Sequence, residues 1–274
     1  MDIVDLLDLD RKQIISKEDL KDKMWKIGKV RRKLSTGSTN FNKVLDGGFS
    51  LGQKYLLFGA NNTGKTQLCH ALCVQFFKKY IKHSKCSRSK DINRIFYFDT
   101  ENTFRPERIK ELATQKTIDY KLVLKNLLVS KIMSSSALQI ILDDLENKIE
   151  KSSINLLIID SINNHYRSEQ GNKLFSSYKA KTVFLKILHK LNELAKSNQF
   201  FIIATSQVAP NFVEGGIIKD IPVGNQYLSH YFSEYVYILR KDKILYAYLV
   251  NSHNLPEKKI AFSISSKGIE NFTF

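Results

Sequence analysis

The string Gly59-Ala60-Asn61-Asn62-Thr63-Gly64-Lys65-Thr66 fills every position of the pattern GxxxxGK[ST]. It stands directly after a strand-like run, KYLLF (Lys54 to Phe58), and directly before a segment with helical spacing, Lys65 to Ile81. A loop of this kind turns successive backbone N–H groups inward at a helix N-terminus, which is how phosphate is cradled between a strand and a helix. Glycine serves where a side chain would collide, Lys65 reaches the β- and γ-phosphates, and the Thr66 hydroxyl is placed for Mg2+. Residues Gly59 through Gln67 are therefore the expected phosphate-binding segment.

The rest of the chain agrees with the fold this loop demands. Short apolar runs, Arg94 to Asp99, Leu127 to Ile132, Ile154 to Asp160 and Phe200 to Ser206, alternate with helical patterns at Pro106 to Gln115, Ser135 to Lys151 and Tyr178 to Ser197. That alternation predicts an α/β fold, a mostly parallel sheet flanked by helices. After Tyr227 the period shortens to two, and EYVYILR, KILYAYLVNS and KIAFSIS read as antiparallel strands at the C-terminal edge, joined by tight turns such as RKDK. Residues 1–33 form a short charged lead, with one helix expected around Lys17 to Lys26, and residues 34–274 form the core. Hydrophobic residues make up 43% of the chain, enough for a sizeable core. No run approaches the roughly 18 uncharged apolar residues of a spanning helix, so no membrane is expected. Asp2, Asp5, Asp8 and Asp10 suit neither a signal nor a transit peptide, which predicts an intracellular protein.

Two further acidic positions bear on chemistry. LLIID ends in Asp160, the place from which a P-loop protein holds Mg2+ on a neighbouring strand. Asp99 and Glu101 end another strand, and a carboxylate there could orient or deprotonate an attacking water. The three cysteines, Cys69, Cys73 and Cys86, form no CxxC; Cys69 and Cys73 beside His70 read as small hydrophobes of an apolar helix, and no zinc is expected. The 43 Lys and Arg exceed the 27 Asp and Glu by 16, which points to an acidic polymer as partner.

Longer strings narrow the reading. Leu34 to Phe76, FDTENTFRPERI (Phe98 to Ile109), LLIIDSINNHYRSE (Leu156 to Glu169), ATSQV (Ala204 to Val208), PVGN (Pro222 to Asn225) and NSHNLPEKKIAFSISSKGIE (Asn251 to Glu270) together resemble the RecA/RadA recombinase family in its archaeal and eukaryotic branch. The resemblance implies a RecA-type P-loop core that uses ATP and Mg2+. It makes Glu101 the base that activates water, Asp160 with Thr66 the Mg2+ ligands, and Lys65 a catalytic cation. It also makes Arg108 the guanidinium that stacks on adenine, and Gln207 the sensor that reports the γ-phosphate to a DNA loop. The first implied DNA loop is Arg167 to Ala180, with Arg167, Lys173 and Lys179 on phosphates. The second is Val208 to Ile221, with Phe212 or Val213 as the apolar wedge between bases. Such contacts give backbone-dominated, sequence-tolerant binding, and the expected partner is DNA, taken here as single-stranded.

Departures from the family pattern carry information too. Residues 1–33 show neither the family's helix-hairpin-helix domain nor its Phe-x-x-Ala docking segment, Asn102 replaces the Gly after the catalytic Glu, and Gly224-Asn225-Gln226 replaces Gly-Gly-Asn. The pattern is most similar to a RadB-type recombinase paralogue. It implies a DNA-dependent but slow ATPase that assists a main RadA-type recombinase or other paralogues in homologous recombination and repair. A self-sufficient, filament-forming recombinase and a RecA-core ATPase acting on a protein, of the KaiC kind, are the competing readings. The basic segments Lys29 to Lys33 and Lys78 to Arg94 have no role in the resemblance.

Overall fold

The computed structural model describes residues 32–82, 93–150, 153–171, 176–197, 199–211 and 218–273. The chain comprises two units, Met1–Arg32 and Lys33–Phe274, and the architecture below is that of the second. The expected helix around Lys17 to Lys26, most of the 82–93 connection, and Lys173, Phe212 and Val213 lie outside the described residues.

In chain order the elements are β1 (Lys33–Leu34), α1 (Thr39–Val44), β2 (Phe49–Ser50), β3 (Lys54–Phe58) and α2 (Lys65–Phe76), which a wider π turn extends over Phe77–Ile81. Then come β4 (Ile95–Asp99), α3 (Pro106–Thr114), α4 (Tyr120–Lys125), β5 (Leu127–Lys131), α5 (Ser135–Leu145) and β6 (Asn155–Asp160). The chain continues through α6 (Asn164–Gly171), α7 (Ser177–Lys196), β7 (Phe200–Ser206), β8 (Val208–Pro210), β9 (Asp220–Pro222) and α8 (Asn225–Tyr231). It closes with β10 (Glu234–Lys241), β11 (Ile244–Asn251), β12 (Lys258–Ser265) and β13 (Gly268–Asn271).

One nine-stranded sheet runs β13-β12-β11-β10-β3-β7-β6-β4-β5. From β10 through β5 every pairing is parallel, and from β10 outward to β13 every pairing is antiparallel. Strands β3, β4, β6 and β7 are buried at every position, as continuous apolar runs covered on both faces should be. Neighbouring residues serve opposite layers: Leu57 belongs to the apolar cluster that holds Phe41, Leu68 and Leu72 of α1 and α2, while Leu56 belongs to the one that holds Phe184, Leu188 and Leu191 of α7. Cys69 and Cys73 are fully buried in the first layer, and burial drives both thiols well above their ordinary range, so they act there as packing groups. Among the described residues no helix is long and apolar enough to cross a membrane.

The structure refines several of these expectations. Strand β10 is antiparallel to β11 but parallel to β3, because the chain returns to the sheet centre before it meanders outward. Helix α5 stops at Leu145 and a single 3-10 turn follows over Glu146–Lys148. The first implied DNA loop is helical at both ends. Arg167 to Gly171 continue α6, which Tyr166 anchors by stacking on Phe184 with centroids 4.3 Å apart, and Ser176 caps α7 through its hydroxyl. The second implied loop is likewise a hairpin at its base, with Val208, Ala209 and Pro210 opposite Pro222, Ile221 and Asp220.

Candidate nucleotide site

The site lies at the C-terminal ends of β3, β7, β6 and β4, where an open α/β sheet places its ligand crevice. Leaving β3, the chain turns at Gly59 with φ +148, and a Cβ there would stand 1.9 Å from the Ile238 carbonyl oxygen of β10. Only glycine lets the loop and β10 approach so closely. At Gly64, φ is +97 and a Cβ would meet Ile264 Cδ1 of β12 at 2.3 Å. The Thr63 hydroxyl donates to the Ala60 carbonyl (2.9 Å) and closes the turn, and α2 begins at Lys65. Lys65 Nζ donates to the carbonyls of Gly59 and Ala60, both at 2.8 Å. Burial lowers its pKa, and the carboxylates of Asp160 and Glu101 oppose that shift.

Asp160 sits at the end of β6 as the sequence requires. Its Oδ2 accepts from Thr66 Oγ1 (2.8 Å) and from the Tyr97 hydroxyl (2.8 Å), and its Oδ1 accepts from the Thr205 hydroxyl. The paired hydroxyl and carboxylate oxygens of Thr66 and Asp160 are hard donors of the kind Mg2+ takes, so these residues fit the ion. The two strand-end acids divide their roles. Asp99 is 4% exposed, and its oxygens accept from the backbone N–H groups of Glu101, Thr103 and Phe104. It shapes the loop. Glu101 instead turns its carboxylate into the cavity, where Oε1 accepts from Ser161 Oγ (2.6 Å) and Gln207 Nε2 (3.0 Å). Asn102 adopts φ +58, a conformation that Asn tolerates best after Gly, which explains how it stands in for the family's Gly.

Gln207 is a junction. Its Nε2 also donates to Asn164 Oδ1 (3.1 Å), and its Oε1 accepts from Arg167 (3.2 Å) of α6. Fully buried Asn163 holds the same region from beneath, donating to Ser206 Oγ, Gln207 O and Val223 O and accepting from the Gln207 N–H. Thr205, Ser206, Asn163 and Asn164 were not singled out in the sequence; their signal is the run of polar residues that follows the apolar stretches LLII and FFIIA. His70, fully buried, joins α2 to the Asp99–Arg105 loop: Nδ1–H donates to the Thr66 carbonyl (2.7 Å), and Nε2 accepts from the Arg105 N–H (3.1 Å). Those bonds assign the neutral tautomer, and burial lowers its pKa. Arg108 is held by Gln67 Oε1 (2.7 Å), the Glu111 carboxylate and the Ser265 carbonyl (2.6 Å).

Around these groups opens a cleft of about 1000 Å³. Asn61, Asn62, Gly64, Lys65, Thr66 and Gln67 line one wall, and Arg240, Asp242 and Lys243 of the β10–β11 turn stand in the same cleft with Phe262 and Ile264 of β12. The turn residues were read in the sequence only as a hairpin; their three charges in RKDK are the signal of a further role. Lys179 lies in the first turn of α7, and neither it nor Arg108 lines the cleft.

A family model described as Rad51 matches residues 29–272. The chain belongs to the Rad51 family. Among curated relatives it is similar to a protein named DNA repair and recombination protein RadA from Metallosphaera sedula, 31% identical over 242 residues, covering 87% of this chain and 72% of that protein. The RadA of Ignicoccus hospitalis is 30% identical over the same shares of both chains. Rad51-family membership agrees with the RecA-type architecture above: a P-loop on the central strand, and antiparallel strands at the C-terminal edge.

Proposed function

We propose that this Rad51-family chain binds ATP with Mg2+, hydrolyses it in response to single-stranded DNA, and serves homologous recombination and repair as a helper of a main RadA-type recombinase. The observation that carries the reading is the connected chain of hydrogen bonds Ser161–Glu101–Gln207–Arg167. It joins a carboxylate in the phosphate cleft to the base of both implied DNA loops. In this reading Lys65 neutralises the triphosphate, and Thr66 and Asp160 are the residues that would hold Mg2+. Glu101 takes the proton of the attacking water. When bound there, Mg2+ would supply further charge neutralisation to the phosphates. A γ-phosphate that accepts from Gln207 Nε2 competes with Glu101 and Asn164 for that donor, and a turn of the amide also shifts the Oε1 that accepts from Arg167, so nucleotide state and loop position become linked.

The helper role is supported by an open edge. Among the described residues strand β5 ends the sheet with Leu128 and Val129 exposed, able to receive a strand from a recombinase subunit. The same open edge favours the second reading, a filament-forming recombinase. The deciding experiment measures ATPase rate and D-loop formation with the chain alone, with single-stranded DNA, and with a cognate RadA-type recombinase. Stimulation of the recombinase with little D-loop product from the chain alone supports the helper. Robust product from the chain alone overturns it.

A further inference from the structure

The opposite end of β3 carries a second cluster of cations that the nucleotide chemistry does not use. Lys54, the first residue of the strand, is 8% exposed. Its ammonium donates to Asn192 Oδ1 at 2.6 Å, and no carboxylate among the described residues pairs with it. Lysine is seldom buried without a counter-charge, because the desolvation of the ammonium goes uncompensated. Here burial and the nearby Lys196 lower its pKa to about 8.

Lys54 forms the base of a cavity of about 340 Å³. Lys196 at the end of α7, His230 at the end of α8 and His253 after β11 stand at its exposed rim, with the hydroxyls of Ser229 and Ser233 beside them. Among the described residues, none that lines it is Asp or Glu. The C-terminal ends of α7 and α8 contribute only partial negative charge, and the Ser197 and Phe232 amides already fold back onto carbonyls of their own last turns. The cavity lies at the small end of the ligand range of about 300–1,000 Å³, too small for a nucleic-acid duplex.

We propose that this cavity is a binding site for a small phosphate dianion, either inorganic phosphate or the terminal phosphate of a small monoester. Lys54 is its buried cation, Lys196 and His253 are rim cations, and the serine hydroxyls are donors. The site is independent of the recombination reading, since it shares no residue with the nucleotide cleft.

The test uses the full chain carrying Lys65→Ala, so that the P-loop lacks its cation. Inorganic phosphate is titrated at fixed ionic strength against chloride, with the unfolding midpoint and the 31P line width as readouts. A saturable response is expected that weakens at least tenfold with Lys54→Met and several-fold with His253→Ala, the latter an exposed position whose substitution spares the core. A parallel titration with ribose 5-phosphate identifies the source: equal or tighter binding assigns the site to monoesters, weaker binding to the free ion. Identical responses in all variants, or a response that chloride reproduces, overturn the proposal.

Discussion

Strand β3 begins at one lysine and leads through the phosphate loop to another, and the two are surrounded differently. Both lose solvent and both have lowered pKa values, but Lys65 is faced by Asp160 and Glu101, which favour its charge, whereas Lys54 has one amide acceptor and a second lysine nearby. The contrast separates burial from function. At Lys65 two carboxylates of the cleft oppose the loss of charge, and at Lys54 no carboxylate among the described residues does so.

Four substitutions test that contrast, taken in order of expected effect. Gly59→Ala forces a Cβ into the Ile238 carbonyl at a φ that L-residues rarely adopt, and should cost more than about 4 kcal/mol, seen as insoluble or unfolded protein in urea titration. A loss below about 1 kcal/mol would mean that the loop does not abut β10. Glu101→Gln should leave binding of a fluorescent ATP analogue intact while turnover falls roughly 10²- to 10⁴-fold; unchanged turnover would remove Glu101 from the mechanism. Asn163→Ala removes the donor to three oxygens and should destabilise by about 2–3 kcal/mol in denaturant, with loss of DNA-stimulated turnover as the second readout.

Lys54→Met has the smallest expected effect and the most specific signature. The folded-state pKa of about 8 lies below the ordinary 10.5, so the unfolded chain binds the proton more tightly and the buried charge costs stability below pH 8. In phosphate-free buffer Lys54→Met should be more stable than the parent by roughly 2 kcal/mol at pH 7. The gap should close as pH rises from about 8 to 10.5, followed by unfolding midpoints of both proteins. A gap that does not vary with pH would show that Lys54 is not the desolvated group.

What the sequence disclosed follows from how local each feature is. The P-loop and its flanking β3, and β7 at Phe200–Ser206, are legible to the residue because apolar runs and a contiguous motif encode them. Asp99 and Glu101 looked alike as strand-end acids, because the difference is whether the carboxylate folds back on backbone N–H groups of the loop that follows. Helix α4 escaped notice because its six residues follow α3 too closely for a period to emerge. The presence of Arg240 and Lys243 in the cleft depends on β10 inserting beside β3, and the hold on Arg108 depends on a carbonyl 157 residues away. Neither separation leaves a trace in local pattern.

The bonds from Lys65 to Gly59 and Ala60 fix the starting state of the loop. Two of the three ammonium donors are held by those carbonyls at 2.8 Å, and the third is left for an arriving anion. The lysine thus lies folded against its own loop before any ligand arrives, and an incoming polyphosphate meets a side chain whose rotamers are already restricted, which lowers the entropy lost on binding.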